Sequence, residues 1–124
     1  MTSRRVAIVA DDLIWADRLA RAVEAAGGEP VRVRGPAELD TVAVDRAIVD
    51  LTARAWDPLV AIGQVRSRGA RVLAVGQHDD HALRRRALAA GAERVYAYRK
   101  LFEDGPATIA AWLDAADPAV ATRP

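Results

Sequence analysis

The sequence predicts an α/β fold, a doubly wound sheet of five parallel strands with five helices. Three observations predict it. Short apolar runs recur at residues 6–10, 31–33, 47–51, 72–75 and 95–97. They are continuous rather than alternating, as strands buried on both faces read. The segments between them carry a helical period, and glycine stops follow at intervals. Regular strand–helix alternation forces right-handed crossovers and a parallel sheet covered on both sides.

The helices follow in order. Asp12 is placed to cap the first, with Ala16, Leu19, Ala20, Val23 and Ala26 on one face and Gly27-Gly28 as its stop. A short second helix falls at residues 36–42. Pro58 opens the third, with Leu59, Ile62 and Val65 inward and Gly69 as its end. Asp79 or Asp80 starts the fourth, with Leu83, Ala87 and Leu88 inward and Gly91 as its end. Asp104-Gly105-Pro106 starts the fifth, with Ile109, Trp112 and Leu113 inward.

Bulk composition narrows the function. A chain of 124 residues with 52% hydrophobic content suits one domain with a real core. The expected domain spans 1–124, with its core at about 4–116 and residues 117–124 as a flexible tail. A net charge of +1 argues against a nucleic-acid binder. The absence of cysteine removes disulfides, thiolate metal sites and cysteine catalysis. The N-terminal apolar run stops at Asp11-Asp12, too short for a secretory segment, and no stretch approaches a membrane span. A cytoplasmic location is expected. There is no glycine-rich phosphate loop and no serine–histidine arrangement, so an enzyme is not expected.

In a parallel sheet the working crevice lies at the carboxyl ends of the strands. The residues just past those ends include Asp11, Asp12 and Asp50. Carboxylates gathered there repel one another, and they relieve that by recruiting a hard cation such as magnesium. A carboxylate beside such an ion is also a candidate phosphoryl acceptor. Asp12 has the competing task of helix capping. His78-Asp79-Asp80-His81 has the ligand types of a transition-metal site, but four neighbours at a helix start rarely converge, and capping explains the acids.

Asp45-Arg46-Ala47-Ile48-Val49-Asp50 resembles the third strand of response-regulator receiver domains. Ala87-Leu88-Ala89-Ala90-Gly91-Ala92-Glu93 is similar to the end of that family's fourth helix, and Glu24-Ala25-Ala26-Gly27 to the end of its first. The resemblance covers about residues 4–116. It implies the flavodoxin-like strand order 2-1-3-4-5. It also maps the phosphoacceptor onto Asp50 and cation ligands onto Asp11 and Asp50, with Asp12 beside them.

Departures from the family pattern change what the resemblance implies. One of the paired acids falls on Ala10, the hydroxyl after strand four on Gly76, and the lysine after strand five on Tyr98. Lys100, the only lysine, comes two residues late. The expectation is therefore a pseudo-receiver, a regulatory module working through protein–protein contact. The alternative is a two-component receiver phosphorylated on Asp50 with Mg2+. A flavodoxin-like domain binding a small cofactor stands third, weakened by the missing phosphate loop. Arg84-Arg85-Arg86, Arg94, Arg99 and Lys100 mark the helix-four, strand-five, helix-five face as the expected contact for a partner or a second copy. Trp112 reads as core, while Trp15 and Trp56 read as partly exposed near the rim.

Overall fold

The computed structural model describes residues 4–115. The order of elements is β1 (Arg5–Val9), α1 (Leu13–Ala25), β2 (Glu29–Val33), α2 (Pro36–Leu39), β3 (Arg46–Asp50), α3 (Pro58–Ser67), β4 (Arg71–Gly76), α4 (His81–Ala90), β5 (Arg94–Ala97) and α5 (Tyr98–Asp114). All neighbouring strands pair in parallel, in the order β2-β1-β3-β4-β5. Pro30 is accommodated because β2 is an edge strand.

The period of two along the strands divides the core into two layers. Val6, Ile8, Ile48, Leu73 and Val75 face α1 and α5, where they meet Leu19, Val23, Ile109, Trp112 and Leu113. Ala7, Val9, Val49, Val72 and Ala74 face the other way, toward Leu39, Ile62, Val65 and Ala87. Ile8, Leu19, Ile48, Ile62, Leu73 and Ile109 are fully buried. Each such side chain contributes about 1.5–3 kcal/mol relative to exposure.

Capping residues fix where the helices start. Asp12 accepts hydrogen bonds from the Ile14 and Trp15 amides at 2.9 and 3.0 Å. Asp57 does the same for Leu59, and Asp80 for Leu83. Gly91 ends α4 at φ 123°, and a Cβ there would lie 2.5 Å from Arg66 Cγ, so the turn requires glycine.

Three sequence expectations need correction. Helix α5 begins at Tyr98, not at Asp104. Its first turns carry the i,i+4 pairs Arg99–Glu103 and Lys100–Asp104 and bury Leu101. The Asp104-Gly105-Pro106 signal marks a kink instead: Asp104 has φ −144°, and Pro106 has no N–H for the preceding turn. Helix α2 ends at Leu39, because Thr41 and Val42 already turn back on Glu38 and Leu39. Leu88 is 42% exposed rather than inward. Leu83, Ala87 and Ala90 share the i, i+4, i+7 stripe that packs on the sheet, which turns Leu88 aside. The expected tail, residues 117–124, lies outside the described residues, as does residue 116.

The opposite end of the sheet is tied to the end of α5. Arg46 donates to the Leu113 carbonyl at 3.2 Å, and Arg71 to the Ala115 carbonyl at 2.7 Å. Arg71 also forms a bidentate pair with Glu93, both side chains being only 9% exposed, and its guanidinium lies over the Trp112 ring. No helix among the described residues is long and apolar enough to cross a membrane.

Candidate functional site at the carboxyl ends of the strands

Asp50 is the last residue of β3 and is fully buried. The period of two puts it on the same side as Ile48, toward α1 and α5. Its Oδ1 accepts from the Thr52 amide at 2.9 Å and from the Thr52 hydroxyl at 2.8 Å. It accepts a third hydrogen bond from the Tyr98 hydroxyl. The Thr52 and Tyr98 oxygens themselves lie 2.6 Å apart. Asp50 Oδ2 is buried with no hydrogen-bond partner. One carboxylate oxygen is thus triply engaged and the other is bare.

Tyr98 reaches Asp50 because α5 starts immediately after β5. Its ring rests on Trp15 of α1, with centroids 3.9 Å apart and planes tilted by 33°. Burial, followed by the hydrogen bond to Asp50, pushes the Tyr98 phenol well above its ordinary pKa of 10.0. The phenol therefore keeps its proton, and with it the ability to donate.

Asp11 and Asp12 lie beside this group but point their hydrogen bonds elsewhere. Asp11 Oδ2 accepts from the Arg54 and Ala55 amides at 2.8 and 3.0 Å, holding the loop after β3 against the start of α1. Burial works against its charge, yet those amides and the Arg54 guanidinium outweigh it and lower its pKa below 3.8. Asp12 is occupied as the α1 cap. A crevice of about 680 Å³ opens over the site, walled by Asp11, Asp12, Trp15, Arg54, Gln77 and Tyr98.

Asp11, Asp12 and Asp50 thus share one rim, each with a carboxylate oxygen committed to the chain's own donors. Among the described residues no group of three acidic, histidine or cysteine side chains is arranged to hold a metal ion. That includes the His78–His81 stretch, where Asp80 serves as a cap.

Lys100 does not enter the site. It sits in the first turn and a half of α5 and pairs with Asp104 at 3.1 Å. A two-residue offset keeps the same facing along a strand, but in a helix it rotates the side chain by about 200°. At Gly76 a Cβ would lie 3.2 Å from Leu51 Cδ1, so Leu51 fills the space a hydroxyl-bearing side chain would need.

Sequence reasoning missed Thr52 and the partnership of Tyr98 with Asp50. Thr52 carried a readable signal. An aspartate followed two residues later by a polar residue in a turn bonds that residue's amide through its side chain.

No family model matches the sequence, and no curated protein matches it. Solved structures do. A response regulator from Thermotoga maritima superposes with a TM-score of 0.77 at 17% identity, covering 92% of this chain and 100% of its own. A CheY-like response-regulator receiver domain from Methanospirillum hungatei gives 0.73 at 20% identity, covering 91% and 95%. The fold is that of a receiver domain. A third structure, of a response regulator from Burkholderia pseudomallei, contains a phosphorylated aspartic acid, a calcium ion and citrate. It gives 0.68 at 18% identity, covering 90% of this chain and 74% of its own.

Proposed function

We propose that the chain is a receiver-like regulatory module that acts through protein–protein contact without a phosphoryl switch and without catalysis. One observation carries this reading: the Tyr98 hydroxyl sits on the Asp50 carboxylate and helps to seal it. An incoming phosphodonor needs an open approach to that carboxylate, a cation to offset the charge and a lysine to receive it. Here a neutral phenol fills the approach. The contact face inferred from the arginine-rich stretch is the α4–β5–α5 side. It carries a cleft of about 410 Å³ lined by Arg84, Leu88, Arg94, Tyr96 and Lys100.

A second reading is favoured by the bare Oδ2 of Asp50. An unpartnered buried carboxylate oxygen costs stability, and a phosphoryl group or a divalent cation would engage it once Tyr98 moved aside. One experiment separates the two. The protein is incubated with Mg2+ and acetyl phosphate, and its intact mass is measured. The first reading expects an unmodified mass. Stoichiometric addition of one phosphoryl group, absent in Asp50→Asn, would establish the second reading and overturn the first.

A further inference from the structure

The rim crevice carries more negative charge than its own cation balances. Its walls hold two carboxylates, Asp11 and Asp12, and one guanidinium, Arg54. A third carboxylate lies directly behind them. Thr52 and Tyr98 line the crevice, and both bond Asp50 Oδ1. The charge of Arg54 acts on Asp11. Asp12 takes the Ile14 and Trp15 amides on Oδ1, and Asp50 takes only Thr52 and Tyr98, so neither has an ion pair among the described residues.

Two further observations point to a ligand. Asp50 is fully buried and its Oδ2 has no partner. A charge held in low-dielectric surroundings acts over a longer range than one in water, so a cation entering the crevice would offset it. The second is the aromatic pair on the same wall. Tyr98 rests on Trp15 at 3.9 Å, and Trp15 already carries the Arg18 guanidinium 5.4 Å from its centroid. A guanidinium suits such a place. It is planar, lies against rings and donates from several edges, so it can use carboxylates that do not converge on one point. The volume of about 680 Å³ also leaves room for the chain that presents it.

We infer that the rim crevice receives an arginine side chain of a partner protein, its guanidinium beside Asp12 and the Tyr98 ring and within the field of Asp50. The inference rests on the reading of the chain as a contact module and names the chemistry of one contact. A second copy of this chain is a poorer source of the arginine. Paired rim to rim it sets acid against acid, and paired head to tail it propagates into an open chain.

The test uses short blocked alanine peptides with a central arginine, lysine or citrulline, and agmatine as a guanidinium without a peptide chain. Citrulline keeps the shape of arginine and removes its charge. Binding to the isotope-labelled chain is followed at low salt by chemical shifts. The arginine peptide is expected to saturate and to move the Trp15 indole N–H and the Thr52, Arg54 and Gln77 amides. The lysine peptide and agmatine should bind more weakly, and the citrulline peptide not at all. Asp12→Asn should weaken the arginine peptide roughly threefold, as at an exposed pair, and Asp50→Asn by about tenfold. Asparagine caps a helix as well as aspartate does, so Asp12→Asn leaves α1 intact should Asp50→Asn unfold the chain. Arginine binding no tighter than citrulline, lysine or agmatine, no shift at the rim, unchanged binding in Asp12→Asn, or the same shifts on concentrating the chain alone would each overturn the inference. Stoichiometric phosphoryl labelling of Asp50 would instead overturn the contact-module reading, and the peptide comparison on the unphosphorylated chain would stand.

Discussion

The Tyr98 hydroxyl donates to the Asp50 carboxylate, joining the first residue of α5 to the last residue of β3. Three donors converge on one oxygen there, two from Thr52 and one from Tyr98. This contact decides how the rim is read, so it is the first to be challenged.

Tyr98→Phe removes the hydroxyl and keeps the ring on Trp15. A hydrogen bond to a charged group is worth about 1.5–3 kcal/mol, so unfolding by urea should register a loss within that range. The smaller Tyr98→Ala also removes the lid over Asp50. If the lid is what blocks phosphorylation, the alanine variant should take up phosphoryl from acetyl phosphate faster than the wild type, as intact-mass time courses would show.

The same phenol links stability to pH on the alkaline side. Its pKa is raised in the folded state above the unfolded value of 10.0. The folded chain holds that proton more tightly, so its stabilising contribution is complete below pH 10 and is lost as pH climbs above it. Denaturation midpoints should fall above pH 10 in the wild type and fall less steeply in Tyr98→Phe. Phenolate absorbance from Tyr98 should emerge only with unfolding.

Arg71 offers a test at the other end. Its pair with Glu93 is nearly enclosed, and its third contact holds the Ala115 carbonyl. Arg71→Ala leaves Glu93 as an uncompensated buried charge and should cost about 3–5 kcal/mol in chemical denaturation. The double change Arg71→Met with Glu93→Leu should recover much of that loss, because the lone charge disappears with its partner.

The fold was legible because its signals are local. Asp12 and Asp80 cap helices, Gly91 stops one, and the apolar runs follow the strands to within a residue or two at most ends. Strand order followed from resemblance to receivers, and the sheet has that order. Helix α5 was misread because Asp104-Gly105-Pro106 has the composition of a helix start, while Leu101 packing against the core carries the helix through it. The rim was half legible. Asp50 and Asp11 could be placed at or just past the ends of β3 and β1, whereas the departures at Ala10, Gly76 and Tyr98 are only what the resemblance implies. What Tyr98 does there could not be read, since its bond to Asp50 spans 48 positions and depends on where α5 begins.

Helix α5 is held at its start by Tyr98 on Asp50 and Trp15, and at its end by Arg46 and Arg71 on the Leu113 and Ala115 carbonyls. Between these anchors lies the Asp104 kink, where the hydrogen-bond ladder is already broken by Pro106. A rod pinned at both ends and notched in the middle concentrates bending at the notch. The break at Asp104 is therefore the point of α5 with the least backbone resistance to bending between its two anchors.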